Sequence, residues 1–142
     1  MELRFLEVPG VIQKKLALLV QKVSLLEDRM KEVTFEQYAE DWVIRAMAER
    51  MIQVCVEIII DIAERIISLE NLGPVEGAAQ SMEKLVGLGI LPNAEPYTAM
   101  VRLRNLIVHE YDGIRPEILY PLLKNNLGDF LHFRNAIDRA NA

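Results

Sequence analysis

Four side chains that could do chemistry lie in one short run, Arg104, Asn105, His109 and Tyr111. Arginine carries a permanent positive charge in a planar fork that suits phosphate or carboxylate groups. Histidine is the side chain that can accept or donate a proton near neutral pH. Together these two types could stabilise growing negative charge and move a proton at one reacting group. Residues 104–111 are therefore the candidate reactive segment.

The helix that should carry this segment starts at Pro96 and fades near residues 112–113. Its apolar residues form a broad sector on an ideal helix, with members Tyr97, Met100, Val101, Leu103, Ile107 and Val108. Arg104 projects near the middle of this sector, with Tyr111 almost directly beneath it, whereas His109 lies in the opposite polar sector. The pattern predicts that Arg104 and Tyr111 lie on a buried face and His109 on another.

A guanidinium on a buried face needs a partner, because an unpaired buried charge is strongly destabilising. One interpretation is a structural ion pair with the long helix that precedes it. That helix offers a polar line at i, i+4 and i+8, formed by Gln53, Glu57 and Asp61. The other interpretation is that Arg104 faces a cleft or a subunit interface. His109 could equally be a solvated surface histidine, and Tyr111 an aromatic side chain packed on the bundle.

The first half of the chain shows helical spacing throughout. An amphipathic pattern over residues 9–31 predicts the first helix. Thr34 and Gln37 fit a capping box, and no Gly or Pro follows until Gly73. This stretch is either one very long helix or a short helix running into a long one, with Asp41 as a second N-cap.

The second half is punctuated by glycine and proline. A shorter helix ends at Gly87, and another starts at Pro96. Pro116 opens the last helix, which Pro121 should kink or divide. No stretch shows the period-two alternation of a strand. The sequence predicts an all-α, up-and-down bundle of four to five helices, in a single domain over residues 1–142.

Composition limits the classes of function. The formal net charge of −5 argues against coating nucleic acid through bulk charge, although a local basic site remains compatible with it. The chain lacks a His/Cys cluster or the convergent acids of a catalytic metal centre, so neither a metal nor another cofactor is expected. Phe35, Tyr38 and Trp42 are predicted to be core residues, and His132 a surface or packing histidine.

The compartment is predicted from the single cysteine and the apolar windows. Cys55 has no partner for an intramolecular disulfide, which favours a reducing compartment. Residues 1–5 show no secretory signal pattern. Residues 51–67 are interrupted by charged side chains and are predicted to form a buried core helix, with no membrane association. A cytoplasmic location is expected.

The run that reads R-N-L-I-V-H-E-Y from Arg104 to Tyr111 resembles the R-x-x-x-x-H-x-Y signature of the HEPN superfamily. The resemblance is to its HepT-like branch of toxin subunits from prokaryotic toxin–antitoxin pairs. It extends to the N-terminal amphipathic helix, to residues 56–63 of the long helix and to the Gly-Ile-Leu-Pro connector at residues 89–92.

This resemblance implies a metal-independent endoribonuclease in which Arg104 and His109 are the catalytic pair and Asn105 is an accessory polar residue. It also implies a minimal nucleotidyltransferase antitoxin that silences the toxin by transferring AMP to Tyr111. Two arginines that flank the motif could contact RNA phosphates or be solvated surface charges, Arg102 and Arg115.

The spacing of the catalytic pair predicts a homodimer. Arg104 and His109 lie about 140° apart around an ideal helix, so one subunit cannot easily aim both at one phosphate. A two-fold dimer could bring both pairs into one composite cleft. The competing explanation is a local distortion near residues 112–113. An alternative of a different class is a non-catalytic helical partner subunit of a nucleotidyltransferase, which the acidic net charge and Glu110 within the motif would suit.

Overall fold

The computed structural model describes residues 9–141, and in that range the chain is helical with no strand. Its seven helices are α1 Pro9–Met30, α2 Phe35–Glu40, α3 Trp42–Leu69, α4 Ala78–Gly87, α5 Tyr97–His109, α6 Pro116–Asn125 and α7 Gly128–Asn141. The prediction of an all-α bundle is confirmed. Residues 1–5, on which the expected lack of a secretory signal rests, lie outside the described residues.

Helix α3 is the centre of the bundle and contacts each of the other six helices. Beyond the first turns its buried residues occupy a broad sector of the helix, and a polar stripe that includes Gln53, Glu57 and Asp61 lies on the opposite side. The predicted core helix over residues 51–67 lies inside it. The buried residues of α3 are Ala48, Ile52, Cys55, Val56, Ile58, Ile59, Ile60, Ile62, Ala63, Ile66 and Ile67. None of the helices described in residues 9–141 combines the length and apolar character needed to cross a membrane.

The junction of α2 and α3 follows the second of the two alternatives for this stretch. Thr34 Oγ1 accepts a hydrogen bond from the Gln37 N–H at 3.2 Å, and Gln37 Oε1 accepts one from the Thr34 N–H at 2.9 Å. Asp41 Oδ1 then accepts from the N–H groups of Val43 and Ile44 at 3.0 and 3.2 Å. Asp41 therefore ends α2 and caps α3, as in the alternative of a short helix running into a long one.

The predicted last helix is also two helices, but Pro121 does not divide them. Pro121 lies inside α6 on the solvent side. Because proline has no N–H, the Glu117 carbonyl loses one helical hydrogen bond, while Leu119 and Leu123 stay buried. The chain breaks after Asn125 instead, where Asn126 caps α6. The divisions at Asp41 and Asn126 bring the predicted four to five helices to the seven that residues 9–141 contain.

Cys55 should be inert in the folded protein. Burial raises the pKa of its thiol to about 12, against a smaller opposing influence of Lys22. Because the thiolate is the reactive form, we expect no labelling of the native chain by a thiol reagent near pH 8 and one label per chain after denaturation. Mass spectrometry of both samples measures this. Rapid labelling under native conditions would contradict it.

Candidate active site

The C-terminal half of α5 is displayed at the surface. All the buried residues of this helix lie in its first five positions, Tyr97, Thr98, Met100 and Val101. Further along, Leu103 and Ile107 are only partly buried against the core. Leu106 and Val108 are 38% and 46% exposed. The part of α5 that carries the candidate residues is therefore open to a ligand or to another protein.

Arg104 lies at the edge of this open region and is half-buried, not deeply buried as predicted. Its Nε donates a hydrogen bond to Asn105 Oδ1 at 2.9 Å, and within residues 9–141 it forms no salt bridge. The prediction of deep burial is wrong because the helix leaves the core after Val101. The guanidinium retains donors for an anion.

The carboxylates considered as partners of Arg104 have other contacts. Glu57 Oε1 accepts from Gln53 Nε2 at 2.9 Å. Asp61 forms salt bridges with Lys15 and, at 3.8 Å, with Arg65. The interpretation of Arg104 as half of a structural ion pair with α3 is therefore wrong, and the alternative of a cleft or interface remains.

Tyr111 is placed differently from the sequence prediction. Helix α5 ends at His109, Glu110 has extended backbone, and Tyr111 sits in the following turn with its side chain 100% exposed. Both earlier interpretations, a tyrosine on the buried face and an aromatic packed on the bundle, are wrong. The helix ends about one turn earlier than its sequence indicates, so helical spacing no longer applies at this position.

The turn is held by two side chains of α3. Glu49 Oε2 accepts a hydrogen bond from the Ile114 N–H at 3.1 Å, and Arg45 Nη2 donates to the Ile114 carbonyl at 3.2 Å. Arg45 Nη1 also donates to the Ala39 carbonyl at 3.4 Å. Gly113 reaches this arrangement with a φ of +90°. These contacts fix the chain direction after α5 and present Tyr111 to solvent.

A recess of about 250 Å³ lies between the start of α3 and this turn. Its lining residues are Trp42, Arg45, Ala46, Glu49, Glu110, Tyr111, Asp112 and Gly113. Trp42 is 75% exposed, so its prediction as a core residue is wrong, whereas Tyr38 is buried and Phe35 is half-buried against Tyr120. Trp42 is exposed because Asp41 starts α3 there, on the helix face that also carries Arg45 and Glu49.

Arg102, a predicted RNA contact, forms a surface pair with Glu95 at 3.2 Å. The Thr98 hydroxyl donates to the same carboxylate, and Ala99 N–H donates to its second oxygen. These hydrogen bonds, that of Thr98 first, hold the pKa of Glu95 below its usual value despite partial desolvation. The Glu95 carboxylate thus also binds a backbone N–H in the first turn of α5.

Arg115, the other predicted contact, is exposed and lies 3.5 Å from Glu117. Such exposed pairs contribute little to stability, so the arginine can leave the carboxylate and bind a phosphate instead. His109 is exposed, and the other histidine, His132, is exposed on α7 at 3.6 Å from Asp129. Among residues 9–141, no group of three or more histidine, cysteine or acidic side chains is placed to hold a metal ion.

The helical bundle, with its Arg–His–Tyr motif at an exposed helix end, has the architecture that the resemblance to HEPN proteins implies. The family model for HepT-like proteins, described as Ribonuclease HepT-like, matches residues 19–137. The chain belongs to the HepT-like family, which confirms the resemblance seen in its motif and assigns it to the ribonucleases.

Individual relatives agree with this assignment. The mRNA nuclease HepT of Shewanella oneidensis is 24% identical over 127 residues, which cover 84% of this chain and 96% of the relative. Among solved structures, a toxin–antitoxin complex with AMP-PNP contains a similar chain, with a TM-score of 0.84, 23% identity and coverage of 92% and 98%. A tri-AMPylated Shewanella oneidensis HEPN toxin in complex with its MNT antitoxin gives a TM-score of 0.82, with 24% identity and coverage of 91% and 97%.

Gly113 should be required for the turn that presents Tyr111. A Cβ at this position would lie 3.2 Å from Glu49 Oε2, and the φ of +90° disfavours any other residue. We expect Gly113→Ala to lower the free energy of unfolding by about 1–3 kcal/mol, measured by urea denaturation.

Gly87→Ala is the matched control. Nothing lies within 4 Å of a Cβ there, and Gly87 is helical. The free energy of unfolding of this variant should therefore rise by about 0.4–1 kcal/mol. Equal stability of the two variants would contradict the role given to the Gly113 turn.

Proposed function

We propose that this chain is the endoribonuclease toxin subunit of a toxin–antitoxin pair and cuts RNA at a site built from Arg104 and His109. The observation that carries the proposal is the open end of α5, where both side chains are accessible and neither has a carboxylate partner within residues 9–141. The half-buried guanidinium and the exposed imidazole are the two types of group that phosphodiester cleavage needs.

The reaction can proceed without a metal. An imidazole takes the proton of a ribose 2′-hydroxyl, whose oxygen attacks the adjacent phosphorus and forms a new P–O bond. The bond from phosphorus to the 5′-oxygen then breaks, and that oxygen receives a proton from a second acid. The Arg104 guanidinium stabilises the charge on the non-bridging oxygens, and Asn105 orients it through the contact with Nε. Arg102 and Arg115 contribute contacts to neighbouring phosphates.

A homodimer completes the site in this proposal. On one helix the directions of Arg104 and His109 differ by about 140°. The exposed residues of this part of α5 are Asn105, Leu106, Val108 and His109. Two of them are apolar and suit a subunit contact. Packing of two copies through this face would bring both histidines into one cleft, one as base and one as acid.

Removing either member of the pair should abolish cleavage. We expect Arg104→Ala and His109→Ala to reduce the rate of RNA cleavage by about 10²- to 10⁴-fold, the range typical of such groups. His132→Ala is the matched control, because this second histidine is exposed on another helix. It should retain full activity in the same gel assay. Unchanged cleavage in both site variants would remove the proposed site.

Mixed dimers separate chemistry from assembly. Chains with Arg104→Ala and chains with His109→Ala, unfolded together and refolded, should regain part of the cleavage that each lacks alone. Recovery is expected because a mixed dimer holds one arginine and one histidine in the shared cleft. Sedimentation should show dimers in every sample. No recovery in confirmed mixed dimers would contradict a shared cleft that works with one arginine and one histidine from different subunits.

The proposal includes a minimal nucleotidyltransferase as antitoxin, with Tyr111 as its target. The phenol oxygen attacks the α-phosphorus of ATP, the bond to the β-phosphate breaks, and pyrophosphate and the phenolic proton leave. The AMP adds negative charge beside Arg104 and His109, where RNA must bind. A cytoplasmic location belongs to this proposal, because RNA and ATP are both available there.

Accessibility supports Tyr111 as the acceptor. The chain has four tyrosines, and the structure describes all of them. Tyr38 and Tyr97 are buried, and the hydroxyl of Tyr120 donates to the Val33 carbonyl at 2.6 Å. Only Tyr111 among these four is fully exposed. A transferase could therefore reach its hydroxyl without unfolding the chain.

Tyr111→Phe should accept no AMP from a minimal nucleotidyltransferase and ATP, since the attacking oxygen is absent. Intact-protein mass spectrometry measures the added mass. Tyr120→Phe is the control and should be modified like the unaltered chain. AMP that persists on Tyr111→Phe would refute the acceptor. A chain that accepts AMP but never cuts RNA would instead favour the non-catalytic partner subunit.

A further inference from the structure

Trp42 is an exposed indole with no role in the steps above. It is the single tryptophan of the chain and is 75% exposed. Such exposure leaves most of its apolar surface in water, which does little for stability. An exposed indole beside a functional residue is suited to stacking against a flat partner. Trp42 and Tyr111 line the same recess.

We propose that Trp42 is the platform for the base of a nucleotide attached to Tyr111. The adenine stacks on the indole inside the recess, while the phosphate stays at the tyrosine oxygen. This inference rests on the AMPylation proposed above. It gives the silenced chain a defined nucleotide site in place of a freely moving adduct.

The size of the recess fits a ligand held at its rim. Its volume of about 250 Å³ is below the roughly 300–1,000 Å³ of pockets that capture small molecules from solution. A nucleotide joined covalently to Tyr111 has a high effective concentration and needs much less contact. The recess can therefore be small and still be occupied.

The charges in the recess decide which end of the nucleotide enters. Three carboxylates line it, those of Glu49, Glu110 and Asp112. The lining cation, Arg45, is hydrogen-bonded to the carbonyls of Ala39 and Ile114. A phosphate is repelled by this surface, whereas adenine is neutral and its exocyclic amino group can donate to a carboxylate. The same repulsion disfavours the backbone of an RNA substrate.

The single tryptophan makes the proposal directly measurable. The chain is modified by a minimal nucleotidyltransferase and ATP, then separated from the enzyme. Stacking of ordinary strength keeps most molecules in the stacked state, so emission of Trp42 should fall by about half or more. Removal of the AMP with a phosphodiesterase should restore it. Mass spectrometry confirms both states.

The outcomes distinguish this inference from the function on which it rests. AMP present on Tyr111 with unchanged Trp42 emission overturns the platform and leaves the silencing intact. No AMP on the chain overturns both. A third outcome concerns the RNA substrate. If single-stranded RNA quenches Trp42 emission in unmodified His109→Ala while the modification does not, Trp42 binds the substrate and the platform is overturned.

A second measurement uses the rate at which a phosphodiesterase releases AMP. The enzyme must take the adenosine into its own site, so the base has to leave Trp42 first. Trp42→Ala should release AMP about fivefold faster or more, the factor that corresponds to the weakest base–aromatic stacking. Val43→Ala is the matched control, because Val43 is 57% exposed but does not line the recess. Equal rates for Trp42→Ala and the unaltered chain would contradict the proposal.

Discussion

The burial of the broad apolar sector of α3 is the constraint on which the remaining structure depends. From Ala48 onward its buried residues form one sector that the other six helices contact, and polar residues such as Glu57 and Asp61 lie opposite. The first turns are different, because Trp42, Arg45 and Glu49 put polar groups and one indole on a common face. The polar side chains at this end of the helix bind other parts of the chain.

The candidate reactive segment is positioned by this end of α3. Arg45 and Glu49 bind the two backbone groups of Ile114, so the chain turns away at His109 and cannot continue as a helix. One set of hydrogen bonds thus sets the length of α5, leaves Arg104 and His109 at an exposed helix end and moves Tyr111 off the helix. Substitutions in α3 can therefore change a site that they do not touch.

Local signals in the sequence predicted most of the fold. The capping residues Thr34, Gln37 and Asp41 and the apolar spacing of α1 and α3 act over a few positions, so they can be recognised without tertiary information. The full exposure of Tyr111 and the partial exposure of Arg104 could not be predicted from the helical pattern of their own segment. Both depend on contacts between residues 65 and 69 positions apart in the chain. Trp42 could have been recognised, since the cap at Asp41 places it on the polar face.

Because Tyr111 lies outside the helices, its modification should leave the folded bundle unchanged. A group added to this side chain displaces no buried atom and breaks no hydrogen bond of the bundle. In the proposed silencing, the modified and unmodified forms then share one fold. Cells could hold a stock of finished but inactive protein and release it without a new round of synthesis or folding.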